Sequence, residues 1–119
     1  MKAIIDIAPA GSAIKTARAQ LRASRAGKKA DYYLHYETAR LLFSDLTPSR
    51  LELLHTLRRL GPTTVYALAK EAGRNYSNVH TDIGVLEALD LVARTDKDHV
   101  WVPFEAIQIN LAFPAATAA

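Results

Sequence analysis

The sequence predicts an α+β domain, mainly helical, on three observations. Apolar residues recur at helical spacing in three consecutive segments between Pro48 and Asp90. A run of β-branched and aromatic residues follows at once, folded back on itself at the charged tip Asp96-Lys97-Asp98. Short alternating segments, Met1 to Ile7 and Phe104 to Leu111, stand near the two ends. Three helices followed by a β-hairpin are the order of a winged helix-turn-helix, here with an N-terminal strand and helix and a C-terminal strand as extensions.

The elements follow from the residues in order. Ala3, Ile5 and Ile7 alternate with Ile4, the pattern of a short strand. Lys15, Arg18, Arg22, Arg25, Lys28 and Lys29 then fall in a stretch without a single acid, and Arg18, Arg22, Arg25 and Lys29 share one helical face beside a weaker apolar stripe of Ile14, Ala17 and Leu21. Like charges one turn apart repel by a few tenths of a kcal/mol, roughly, so the stripe is a candidate partner-binding surface. Three readings stand: a phosphate-contacting arm, a surface for an acidic protein, or a solvated helix face. Tyr32, Tyr33, Leu34 and Tyr36 suggest a strand, and Glu37 to Phe43 a brief helix with Ala39, Leu42 and Phe43 inward.

The helical core is marked by its punctuation. Thr47 is a suitable N-cap and Pro48 suits the first helical position, with Leu51, Leu54 and Leu57 on the buried face. Gly61-Pro62 ends that helix, and Thr63 or Thr64 caps the next, whose stripe is Val65, Leu68, Ala69 and Ala72. Gly73 stands where a helix end needs positive φ. After Arg74, Asn75 and Tyr76 comes the stripe Val79, Ile83 and Leu86, with Leu89 close by. The expected helices are 48–60, 64–72 and 76–90. Leu91 to Thr95 and His99 to Val102 are the arms of the hairpin, and PAATAA is a frayed tail. The organisation expected is a basic extension over 1–30, a winged domain over 31–111 and a tail over 112–119.

The outward face of the helix that starts at Tyr76 points to double-stranded DNA. At about 100° per residue, Ser77, Thr81, Gly84 and Ala88 lie opposite Val79, flanked by Asn78, His80 and Val85. A solvated face usually carries Lys and Glu. Small residues here allow close approach, and hydroxyl, amide and imidazole groups hydrogen-bond base edges or phosphates. Arg50, Thr63, Thr64, Arg74, Asn75 and Tyr76 sit at helix starts and turns around this face. Arg94 and Lys97, with His99, mark the hairpin tip, where long cations reach phosphates, although Asp96 and Asp98 nearly cancel their charge.

Composition narrows the alternatives. Half of the 119 residues are hydrophobic and 23% charged, which fits one folded domain. The chain has no cysteine, so disulfides, thiolate metal sites and cysteine nucleophiles are excluded. No apolar run approaches the roughly 18 residues of a membrane span, and the start lacks a signal-peptide core, so a cytoplasmic protein is expected. His35, His55, His80 and His99 are dispersed, the Asp96/Asp98/His99 cluster lies on a hairpin tip, and no phosphate cradle or nucleophile elbow is present. No enzyme activity, metal or cofactor is expected. A winged domain that binds protein instead of DNA is the rival, because a fold does not fix a function.

The stretch Leu41 to Val92 resembles small prokaryotic winged-helix regulators related to MarR-like proteins, a group that includes TumA-type antitoxins. The most specific pieces are Leu46-Thr47-Pro48-Ser49-Arg50, the run from Leu68 to Ile83, and Leu86 to Val92. The resemblance implies that the helix near Tyr76 reads DNA, that Arg74, Asn75, Ser77, Asn78, His80 and Thr81 take part, and that the hairpin is the wing. It also implies a repressor, in one branch an autoregulating antitoxin with a toxin as partner. Members of the group it resembles often carry a basic residue where Thr81 stands and glycine where Asp90 stands. One reading helix covers few base pairs, so a homodimer on an inverted repeat is expected, held through the terminal segments by exchange or pairing of strands.

Overall fold

The structure, a computed structural model, describes residues 1–7 and 30–111; the cationic stripe Arg18, Arg22, Arg25 and Lys29 and the tail 112–119 lie outside the described residues. The elements in chain order are β1 (Lys2–Ile7), β2 (Tyr32–Tyr36), α1 (Ala39–Asp45), α2 (Pro48–Leu60), α3 (Val65–Ala72), α4 (Tyr76–Ala88), β3 (Ala93–Arg94), β4 (Val100–Trp101) and β5 (Ala106–Asn110). This is a small α+β architecture in two units, one made of residues 1–42 and 105–119, the other of 43–104. No described helix is long and apolar enough to cross a membrane.

The first unit is built on a three-stranded sheet in the order β2-β1-β5, with β1 parallel to both neighbours. A parallel pair needs a crossover of about a dozen residues or more, and the segment between β1 and β2 is long enough to supply one. The alternation seen in the sequence places Ala3 and Ile5 fully inside. Ile5 lies opposite Leu34 on one side and Ile109 on the other. β2 and β5 therefore pair with the N-terminal strand, and both edges of β1 are occupied within the chain.

The second unit packs α2, α3 and α4 around Leu53, Leu54, Leu57, Leu68, Val79, Ile83 and Leu86, all at most 4% exposed. Each helix opens on a side-chain cap that satisfies an otherwise orphaned amide. Thr47 Oγ1 accepts from the Arg50 N–H at 3.3 Å and Thr64 Oγ1 from the Ala67 N–H at 3.1 Å. Asn75 Oδ1 accepts from the Ser77 and Asn78 N–H groups at 2.9 and 3.3 Å. Gly73 ends α3 at φ +64°, a left-handed conformation that glycine adopts without a Cβ penalty. α4 stops at Ala88, short of Asp90, because Asp90 itself takes φ +61° and Leu91 N–H turns back to Leu86 O at 3.0 Å.

Two details depart from expectation. Ala39 and Phe43, expected inward on the short helix, are exposed, Phe43 by 44%. α1 begins two residues later than expected, and its one buried position is Leu42; Leu46, just past the end of the helix, is buried as well. The hairpin is also shorter, two residues in each arm, with Ala93 opposite Trp101 and Arg94 opposite Val100. Thr63 lies along the other side of β4, exchanging both backbone hydrogen bonds with Val100 at 3.1 and 2.8 Å. That exchange ties the hairpin to the loop between α2 and α3.

Candidate nucleic-acid interface

The surface singled out by the sequence is displayed by α4 and the turn before it. Gly73, Arg74 and Asn75 separate α3 from α4, short enough to force a steep change of direction. With Val79, Ile83 and Leu86 inside, Ser77, Asn78, His80, Thr81, Gly84 and Ala88 are exposed. Apart from the backbone of α4 itself, no heavy atom of the described residues lies within 4 Å of where a Cβ on Gly84 would stand, so this part of the helix presents bare backbone. The exposed face is neutral apart from the imidazole of His80. Thr81 donates its hydroxyl to Ser77 O at 3.1 Å, which turns its oxygen outward as an acceptor.

An aromatic cluster flanks the start of α4. Tyr66 and Tyr76 are 68% and 50% exposed, their rings 6.4 Å apart, and Tyr76 and His80 lie at 5.9 Å. Both separations fall within the range of favourable aromatic contact, and the cluster opens beside Ser77 and Thr81.

Beneath the neutral face lies a charged one. Asp82 is 9% exposed, the one buried charged residue among the described residues. Its Oδ1 accepts from Arg50 Nε at 3.0 Å and its Oδ2 from Arg74 Nη2 at 2.7 Å. Arg50 Nη1 also donates to Asp45 O at 3.0 Å and to Ser44 O at 3.4 Å. One carboxylate thus links the first turn of α2, the α3–α4 turn and the middle of α4. Removing one partner from such a buried ionic group typically costs about 3–5 kcal/mol, since it leaves an uncompensated charge. The two arginines, Thr47, Ser49, Asn78, Thr81 and Asp82 line an open cleft of about 380 Å³.

The remaining candidates divide by what already holds them. Thr64 and Asn75 accept capping hydrogen bonds, and Thr63 bridges to β4 through its backbone. Arg94 is gripped by Glu87 of α4 through both Nε and Nη2, and by Asp98 at 2.7 Å through Nη1. Hydrogen bonds to Glu87 and then Asp98 raise its pKa above the ordinary guanidinium value. The hairpin-tip cation expected to reach outward instead braces the hairpin against α4. Lys97 is exposed and makes no ion pair among the described residues. Asp98 holds φ +63° at the tip, with its N–H bonded to Thr95 O.

Asp82 is the residue that the apolar pattern passed over. It stands three positions after Val79 and one before Ile83, on the inward side of the helix. A carboxylate at an inward position needs partners that satisfy it, but Arg74, eight positions back and ahead of the helix, and Arg50, on another helix, stand at no spacing that would have named them.

A model of the HVO_A0114 family matches residues 45–109, a span that takes in α2 to β4 and most of β5. No curated protein and no solved structure matches the chain.

Proposed function

The chain belongs to the HVO_A0114 family, and we propose that it is a sequence-specific, double-stranded DNA-binding transcriptional regulator. In this reading residues 48–101 act as a winged helix-turn-helix: α4 enters the major groove, α3 and the Gly73–Asn75 turn set its angle, and the β3–β4 hairpin is the wing. The observation that carries the reading is the exposed face of α4, where Ser77, Asn78, Thr81 and Gly84 combine neutral hydrogen-bonding groups with bare backbone. The protein would work as a homodimer on an inverted repeat, since one helix reads too few base pairs for useful specificity. Repression, and an antitoxin role with a toxin as partner, are part of the proposal through the resemblance to MarR-like and TumA-type regulators.

A second reading has its own support. Tyr66 and Tyr76 are large exposed aromatics, a residue type enriched in protein interfaces, and they favour a winged module that binds protein. A titration separates the two. Operators selected from random duplexes, and the random pool itself, are bound to wild type, Asn78→Ala and Lys97→Ala at several salt concentrations. Asn78→Ala should lose about 1–3 kcal/mol on the operator and little on random DNA. Lys97→Ala should weaken both alike and lower the salt slope by about one. A wild-type protein without salt-dependent DNA binding leaves the interaction module as the surviving reading.

A further inference from the structure

We propose that the cleft between the first turn of α2 and the first half of α4 is a phosphate-binding site, and that its occupant is one phosphodiester of the DNA backbone beside the reading face. The inference rests on the DNA reading for the source of the phosphate, but on the cleft alone for its chemistry.

Charge is the first argument. Two guanidinium groups share the single carboxylate of Asp82, which leaves one positive charge in excess where the arginine side chains are only 19% and 29% exposed. A cation held partly away from water favours an anion at its open edge. Vacant donors are the second. Arg74 Nη1 is buried with no hydrogen-bond partner among the described residues. Arg50 directs Nε to Asp82 and Nη1 to two carbonyls, and its Nη2 makes no bond among the described residues. A guanidinium offers its donors in a fixed fork, which phosphate oxygens accept in pairs. The neutral lining is the third. Thr47, whose oxygen accepts the Arg50 N–H, keeps its own hydroxyl proton to donate, and Asn78 stands at the rim, where its amide stays free for the bases.

Asp82 acts here as a positioning residue. It holds one edge of each guanidinium before any ligand arrives, so the remaining donors need little ordering when a phosphate enters. The site lies directly beside Asn78 and Thr81, so a backbone phosphate seated in it would fix the register at which α4 meets the bases.

The test follows nitrogen-15 spectra of the intact protein titrated with inorganic phosphate, with sodium chloride at matched ionic strength as control, and in parallel with a mixed-sequence duplex. Phosphate should shift the Arg50 and Arg74 Nε–H signals to saturation, while chloride should not. Arg74→Gln should abolish these shifts and lower the DNA salt slope by about one. Because Arg74→Gln leaves Asp82 with one partner, Asn78→Asp is the second variant: it adds a negative charge to the cleft from an exposed position and leaves both ion pairs intact. It should abolish the phosphate shifts and weaken random DNA on the order of tenfold. Shifts absent in wild type, or persisting in Asn78→Asp, overturn the site. DNA binding without phosphate shifts sinks the site and leaves the DNA reading standing. Saturable phosphate shifts without DNA binding keep the site, make free phosphate its ligand, and sink the DNA reading.

Discussion

Replacing Gly84 by alanine separates a helix face that meets DNA from one that only meets water. In the free protein the change should stabilise. Gly84 lies inside α4 with helical backbone, and beyond the backbone of α4 itself a Cβ there meets no heavy atom of the described residues within 4 Å, so the methyl costs nothing in packing. Glycine in a helix interior is less favourable than alanine by about 0.8–1.0 kcal/mol, chiefly through the backbone entropy of the unfolded chain. Gly84→Ala should therefore raise the unfolding free energy by about 0.5–1 kcal/mol in a urea titration, with an unchanged m value. Bound to DNA the sign reverses. Gly84 shares its face with Ser77 and Thr81, and if bare backbone is what allows α4 to sit deep in the groove, the methyl overpacks the contact. Overpacking of a close interface costs about 1–3 kcal/mol, a loss on the order of tenfold or more in operator affinity. The random pool, bound through phosphates, should change less. A variant that gains stability and binds its operator as wild type does would falsify the placement of Gly84 against DNA. Loss of stability would sink the helical argument itself.

Two further substitutions test local structure and charge. Asp90 occupies a left-handed conformation at φ +61° after α4, so Asp90→Gly should stabilise the fold by about 0.5–1 kcal/mol in the same urea titration; no gain means that the aspartate side chain compensates the strain. Arg94→Met removes a cation already matched by Glu87 and Asp98 on a side chain 34% exposed, so it should cost about 1 kcal/mol or less in stability and leave the DNA salt slope nearly unchanged. A fall in slope as large as that of Lys97→Ala would mean that Arg94 leaves its carboxylates for a phosphate.

The helical core could be read from the sequence because its signals are local. Thr47-Pro48 marks a helix start, Gly61 and Gly73 mark ends, and Leu68 with Ala69 or Val79 with Ile83 repeat at the period of the helix; each signal acts within a turn or two of itself. The exposed face of α4 came with the stripe opposite it. The sheet was a different matter. Alternation in Lys2–Ile7 says that a strand forms, but β1 pairs with residues about thirty and a hundred positions away, and no residue in β1 names its partners. α1 is so short that two turns of periodicity did not settle its inward side, and Phe43 lies exposed while Leu42 is buried. The arginines show the same limit. Arg50, Arg74 and Arg94 read as cations at helix starts and a hairpin tip, the usual places for phosphate contact. Only the folded chain brings Arg50 to Asp82, thirty-two residues on, and Arg94 back to Glu87.

The direction of these charges bears on how such a protein would find its site. Arg94 faces two carboxylates and Arg59 is joined to Glu71, while Arg50 and Arg74 share the one carboxylate of Asp82, so their excess comes to a single positive charge, and the outward side of α4 offers neutral donors and acceptors. Free cations attract a phosphate backbone out to about the Debye length, near 10 Å, whatever the base sequence. Hydroxyls and amides act only at contact, and only when the opposing groups match. A surface built this way binds random DNA weakly and gains most of its energy from a correct fit. Each half-site then contributes little by itself, and joining two copies adds their contributions while the entropic cost of association is met mainly once. The neutral reading face and the proposed homodimer are thus one argument: the fewer the unpaired cations beside α4, the more the affinity depends on engaging both half-sites. Shifting one half-site by half a helical turn should accordingly reduce operator binding to the level of random DNA in the same titration, whereas binding unaffected by that shift means that single copies read DNA alone.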